Sequence, residues 1–289
     1  MTKEVFISKL LDNPQEKISW LLEKVRLPKD LSDICIKANL NDYRKWETAS
    51  TCDPYILDAL LSVLTSRFPN ASITIIENDS TSVNADNIFA YLGIEPIAKK
   101  YGCTCINVAR EQWKSVQIDG LHFNSIDIPE ILSNAFFITF PKLKSHSITK
   151  LTCGLKNQMG LFRPKRKIMY HHIVDDLIVD CNLAMKPKLS LVDANLVMEG
   201  NYGPTYGSPR KLGLLIASRN IVAADSLCAN LFGFNQKSIP YIKKGSEKGL
   251  GDIDYEIVSD FDIDIRDYKL KFSTLLFHLI RKGSAGLKR

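Results

Sequence analysis

The chain is 289 residues long, with 45% hydrophobic, 24% charged and 9% aromatic side chains. Those proportions belong to an ordinary globular protein and exclude a disordered chain, a collagen, a coiled coil and a small disulfide scaffold. The net charge of +6 is unevenly spread: residues 141–167 contribute +8 without one acid, residues 266–289 contribute +6, and the rest of the chain stands at −8. Two cationic segments therefore sit on an acidic body, and each needs an explanation.

The first thirty residues read as helix, with Ile7, Leu10, Leu11, Ile18, Leu21 and Leu22 at helical spacing. Residues 33–40 (DICIKANL) form a β-type run ending near Asn39. Asp53 is placed to cap a helix with Pro54 at its first position, and YILDALLSVLTSRF continues it. SITIIE at 72–77 is a short β-branched strand, and a helix covers about 85–92. Strand, helix, strand, helix is the pattern of a parallel sheet covered on both faces.

Farther along, 105–108 and 115–118 are short strand candidates, 129–133 is helical, and AFFITF at 135–140 is a buried strand opening at Pro141 into the basic segment. A helix is expected over 170–183, a strand over 189–192 ending in Asp193, another over 212–217, and a helix over 221–231. No repeat or low-complexity linker divides the chain. The expected fold is α/β, with a mostly parallel sheet covered by helices and one composite core holding a central cleft. Residues 1–31 form a helical extension, 32–265 the α/β domain of one or two interlocked lobes, and 266–289 a basic amphipathic tail.

No apolar secretory core marks the N-terminus, and no apolar run reaches the roughly 18–20 residues that span a bilayer. The seven cysteines are odd in number and scattered, which points to a reduced, cytoplasmic protein. Cys103 and Cys105 are too close for a C-x-x-C site, and no ferredoxin-type run exists, so no intrinsic iron–sulfur cluster is expected.

In open α/β sheets ligands sit outside the carboxyl ends of the strands, and several unusual polar residues fall at such ends, Asn39 among them. The densest group is FPKLKSHSITKLTCGLKNQMGLF at 140–162. Its lysines Lys142, Lys144, Lys150 and Lys156, with His146 and Asn157, suit the oxygens of a phosphate or carboxylate. Clustered cations also lower one another's pKa, so one lysine could accept a proton or act as a nucleophile. Gly154 and Gly160 suggest tight backbone geometry, and the spacing fits neither a Walker loop nor a dinucleotide fingerprint.

Three further segments carry candidates. His171 and His172 precede Asp175 and Asp176 by one helical turn, a spacing that could orient a base or hold a divalent ion. Asp193, Glu199 and Thr205 lie on SLVDANLVMEGNYGPTYGSPRKLG, where the two acids could serve as acid and base or as ligands for a divalent metal ion. Asp225 falls inside an apolar helix and needs a buried partner, for which a lysine of the basic segment is the natural candidate. The tail over 268–282 places Phe272, Leu275, Leu276, Leu279 and Ile280 on one stripe with cations opposite. Such a helix can lie on an anionic membrane surface or dock on the body.

Taken in order, IKANL at 36–40, the FPKLKSHSITKLTCGLKNQMGLF segment, the KRK and HH stretch, VDANLVMEGNYGPTYGSP, ASRNIVAADSLCANLFGF and IPYIKKGSEKGLG resemble domain-of-unknown-function family 362 over roughly residues 32–252. Many members of that family carry an adjoining four-iron–four-sulfur ferredoxin module, so the resemblance implies redox chemistry. This sequence lacks those cysteines, and electron transfer would need a separate ferredoxin. The leading expectation is an enzyme that binds an anionic small molecule. Lys142, Lys144 and Lys156 would hold the anion, Asn157 would orient it, His146 or His172 would move a proton, and Asp193 and Glu199 would act as base or metal ligands. The alternatives are a redox component and a non-catalytic scaffold peripheral on the inner face of the membrane. Nucleic acid is not expected, because the cations lack interleaved aromatics and the body is acidic.

Overall fold

The computed structural model describes residues 2–10, 13–200 and 206–270. The first half contains β1 (Glu4–Lys9), α1 (Pro14–Lys24), β2 (Asp33–Ala38), α2 (Pro54–Arg67), β3 (Ser72–Glu77), α3 (Ala85–Tyr91), α4 (Ile94–Lys100), β4 (Thr104–Asn107), β5 (Trp113–Gln117) and β6 (Ser125–Pro129). There follow β7 (Phe136–Phe140), β8 (Lys142–His146), β9 (Lys150–Thr152), α5 (Gly154–Asn157), α6 (Val174–Met185) and β10 (Leu189–Glu199). The last are β11 (Ser208–Ser218), α7 (Ile221–Leu231), α8 (Pro240–Glu247) and β12 (Glu256–Ser259).

The main sheet runs β12-β1-β11-β10-β7-β2-β3-β4, with β8 and β9 branching from β10. From β10 to β4 every neighbouring pair is parallel, β11 is antiparallel to both its neighbours, and β12 is parallel to β1. This is the expected α/β fold. Alternation along each central strand builds two apolar layers. Ile34 and Ile36 of β2 pack with Leu57, Leu60 and Leu61 of α2, whereas Cys35 belongs to the opposite layer with Leu177 and Ile178 of α6. The Asp53–Pro54 start of α2 is as expected, with the Asp53 side chain accepting from Tyr55 N at 2.9 Å.

The chain lays β2, β3 and β4 outward in one direction, then adds β7 and β10 on the other side of β2. Connections diverge between β2 and β7, and that is where an open sheet leaves a crevice at its carboxyl edge.

Four sequence expectations are corrected. Residues 4–9 are a strand, not part of a helical extension: β1 pairs with β11 and β12 inside the sheet. Its consecutive Val5, Phe6 and Ile7 are all buried, as in a strand covered on both faces, and a short apolar run does not distinguish that from a helix. The basic segment, in which no strand is expected, contains two, since β8 and β9 form an antiparallel ladder with Lys144 opposite Thr152 and His146 opposite Lys150. The strand at 189 does not end at Asp193; it runs on to Glu199 along the full length of β11. The helix expected from residue 170 starts at Val174, after 3-10 turns over Lys167–Ile173.

Candidate functional site

Pro141 kinks the path from β7 into β8, and β10 follows both in parallel, with Asp193 N donating to Pro141 O at 2.9 Å. Period-2 alternation then sets Lys142, Lys144 and His146 on one side of β8 and Leu143 and Ser145 on the other. The three side chains have different fates. Lys142 is fully buried against Asp193, Nζ to Oδ2 2.9 Å, and lies under the floor of the site. Lys144 and His146 line a cavity of about 620 Å³ together with Lys37, Asn39, Glu77, Lys156, Asn157, Lys167 and His171. This cavity occupies the crevice between β2 and β7.

The floor is a fixed polar network. Lys37 Nζ meets Glu77 Oε2 at 2.7 Å and Ala38 O at 2.6 Å, and Glu77 also accepts from the N–H groups of Leu40 and Asn78. Asn157 donates through Nδ2 to Lys37 O and Thr139 Oγ1, both at 2.9 Å, while its Oδ1 accepts from Asn39 Nδ2 at 3.1 Å. Both oxygens of Asn39 and Thr152 that remain, Oδ1 and Oγ1, are buried without a hydrogen-bond partner among the described residues. Buried polar atoms are normally satisfied by protein or water. Gly160 passes so close that a Cβ there would meet Lys37 Cε at 3.0 Å.

Above the floor stand cations without equal acids. Six lysines and arginines line the cavity against Asp42 and Glu77. Glu77 is consumed by Lys37, and Asp42 accepts from Ser50 Oγ and Arg44 N. Lys156 makes no hydrogen bond or ion pair among the described residues, and burial lowers its pKa to about 8. Lys144 donates to Ser50 O at 2.7 Å and to Asn41 Oδ1, and burial followed by the Lys156 charge lowers it to about 7. Burial likewise brings Lys167, which donates to Asp79 O, to about 8.

His146 is held well below the usual imidazole range by burial, then by Lys156, Lys144 and His171. Its Nδ1 accepts from the N–H groups of Ile148 and Thr149. That network assigns the neutral tautomer with its proton on Nε2. His146 was expected to move a proton; with Nδ1 occupied by these two donors, the group it presents to the cavity is the Nε2–H.

The remaining expected residues fall elsewhere. His172 is exposed and absent from the cavity lining, whereas His171 faces in; the 3-10 turn changes which of the two histidines points at the site. Asp193 takes three donors, Lys142 Nζ, Asp53 N and Asn195 N, so its role is to tie β8, β10 and the start of α2 together. Glu199 pairs with Arg210 at 3.4 Å, six residues farther along β10, roughly 20 Å at strand rise. Asp193 and Glu199 therefore do not form one acid–base or metal-binding pair. Among the described residues no group of three or more His, Cys, Asp or Glu could hold a metal ion.

Lys150 leaves the site, donating to Ser238 O at 3.2 Å and lying over the Phe234 ring. Asp225 meets no lysine among the described residues: it accepts from Gly154 N at 2.8 Å and Leu155 N at 3.1 Å, and burial raises its pKa to about 7. A Cβ on Gly154 would lie 2.8 Å from Asp225 Oδ1, so glycine is required there. Asp225→Ala would leave two N–H groups unmatched and should cost about 1.5–3 kcal/mol, measured by urea denaturation. Thr205 lies outside the described residues, as do residues 271–282 of the tail. Leu270, by contrast, is buried and donates to Leu231 O at 2.7 Å.

Sequence reading passed over Lys37 as a site residue, together with Asn41 and Lys167, and of the two neighbouring histidines it chose His172 over His171. Lys37 was findable, because it follows Cys35 by two on β2 and so faces the same layer as the cleft.

A mostly parallel sheet covered on both faces, with its crevice at the switch point, defines an α/β protein of the doubly wound class. The chain belongs to the family described as Domain of unknown function (DUF362), whose model matches residues 34–230. It is also 31% identical over 140 residues to the thylakoid-associated protein sll1697 of Synechocystis sp., a match covering 46% of this chain and 43% of that protein. The aligned part is thus less than half of that relative's length.

Proposed function

We propose that the protein is an enzyme acting on a phosphate- or carboxylate-bearing small molecule held in the switch-point cavity. The observation that carries this reading is Lys156, which faces the same hollow as Lys144 and Lys167 and has no hydrogen-bond or ion-pair partner among the described residues. A desolvated cation without a counterion is costly, and an anionic ligand removes that cost. Lys156 and Lys167 would take the anion's oxygens, His146 would donate through Nε2, and the open oxygens of Asn39 and Thr152 would accept from a hydroxyl or amine of the same ligand. A volume of about 620 Å³ suits a metabolite-sized molecule rather than a bare ion.

The linkage has a definite sign. An anion favours the ammonium forms, so binding takes up protons at Lys156 and Lys167, whose ligand-free values are each about 8. Affinity is full below about pH 7 and falls as pH rises through 8, by about tenfold per unit once one lysine must be recharged. Isothermal titration with sulfate, whose charge is constant between pH 6 and 9, checks this. Affinity that is flat or rises with pH contradicts the reading.

Peripheral membrane attachment is a second reading, favoured by the basic amphipathic pattern of residues 268–282 and by the printed name of the thylakoid-associated relative. No helix among the described residues is long and apolar enough to cross a membrane. Sedimentation with phosphatidylglycerol vesicles at low salt should bring down the full chain but not one ending at Leu270. Equal behaviour of the two would remove the tail's role.

A further inference from the structure

Three buried lysines meet at the switch point, and they differ in one respect. Lys37 has Glu77 at 2.7 Å and Lys142 has Asp193 at 2.9 Å, so each is paired with a carboxylate. Lys144, only 1% exposed, has no carboxylate within ion-pair distance among the described residues. Its Nζ donates to two neutral acceptors, Asn41 Oδ1 and Ser50 O. The charged groups around it are mostly of its own sign, Lys156 from α5 and Lys142 two residues back on β8. The opposing charge is Asp42, already engaged by Ser50 Oγ and Arg44 N, and the nearby Cys52 thiol is held protonated by burial.

A neutral amine has two N–H bonds and one lone pair. Two acceptors use both N–H bonds and leave the lone pair as the remaining feature of Lys144 where it lines the cavity. Buried lysines arranged this way serve as nucleophiles toward carbonyl carbon.

We infer that Lys144 is an amine nucleophile, and that the ligand of this cavity is an anionic carbonyl compound, an aldehyde or ketone bearing a phosphate or carboxylate. This rests on the anion-binding reading of the same cavity. The Nζ lone pair attacks the carbonyl carbon, and the carbonyl oxygen takes a proton from the Lys156 ammonium while His146 Nε2–H hydrogen-bonds to it, giving a carbinolamine. The Lys156 amine takes back the extra proton from the new C–N nitrogen and passes it to the hydroxyl, which leaves as water, so that a protonated imine joins Lys144 to the former carbonyl carbon and Lys156 ends as the free amine. Nothing is oxidised or reduced. His146 lies two residues along the same strand face, and Lys156 and Lys167 hold the anionic end.

The test uses the full chain, pyridoxal 5′-phosphate below stoichiometric amounts as an aldehyde that carries a phosphate, and sodium cyanoborohydride to fix any imine, with the labelled lysine located by peptide mass spectrometry. Lys144 should take on the order of tenfold more label than any exposed lysine at pH 7, because far more of it is free amine. Excess sulfate should suppress that label. Lys144→Arg keeps donors for Asn41 and Ser50 but cannot form the imine, so it should still bind sulfate and lose the selective label. Label spread over exposed lysines, or seated on Lys156 or Lys167 with Lys144 unmarked, overturns the inference even where sulfate binds. Absence of both sulfate binding and Lys144 label overturns the inference and the reading beneath it. Label at Lys144 that sulfate does not suppress upholds the nucleophile and removes the anion site.

Discussion

Asp193→Ala should destabilise the protein by about 3–5 kcal/mol, because it strands the Lys142 side chain in a site closed to bulk solvent without its carboxylate partner. Both side chains have zero exposure, and Asp193 also accepts from the N–H groups of Asp53 and Asn195. The loss should therefore exceed that of Lys142→Met, which leaves Asp193 with two backbone donors. Replacing the pair together, Lys142→Met with Asp193→Leu, should recover part of the deficit, since an apolar pair avoids the buried charge. Urea denaturation of the three variants measures this. If Asp193 were a catalytic base in the cavity, its removal would abolish activity with little change in stability, the reverse of the expected pattern.

Lys156→Met should have the opposite signature. Charge-assisted hydrogen bonds contribute about 1.5–3 kcal/mol, so affinity for small anions should fall by roughly 10- to 150-fold. Because the ammonium has no hydrogen-bond or ion-pair partner to lose among the described residues and is largely shielded from solvent, the melting temperature should hold or rise. Calorimetric titration beside a thermal melt separates the two effects. A drop in stability with unchanged binding would mean that Lys156 supports the fold instead of the ligand.

The contrast between these lysines marks the limit of what could be read from the chain. Local chemistry was legible: the β-branched run at Ser72–Glu77, the Asp53–Pro54 helix start and the apolar helix at Ile221–Leu231 are where the sequence places them. So was the gathering of Asn39, Lys144, His146, Lys156 and Asn157 at one sheet edge, because each follows or lies near a strand end. What was not legible is which charge meets which. Lys142 and Lys144 are two residues apart with the same side chain, yet one faces Asp193 across the β8–β10 ladder and the other faces the cavity. That division depends on the irregular register between β8 and β10, which no local pattern encodes. Asp225 failed as a lysine partner for a related reason, since the basic segment offers it backbone N–H groups at Gly154 and Leu155. His171 and His172 exchanged roles because a 3-10 turn changes the helical phase by which the pair was judged. Residues 4–9 were misread because three adjacent apolar residues fit a doubly covered strand as well as a helix.

A crystal of the full chain soaked with inorganic phosphate measures most directly whether the cations of β8 and α5 form one anion site. Phosphate should appear in the crevice between β2 and β7, its oxygens within hydrogen-bond distance of Lys156 Nζ and His146 Nε2. A phosphate bound only on the outer surface, with the crevice holding nothing but water, would contradict the account.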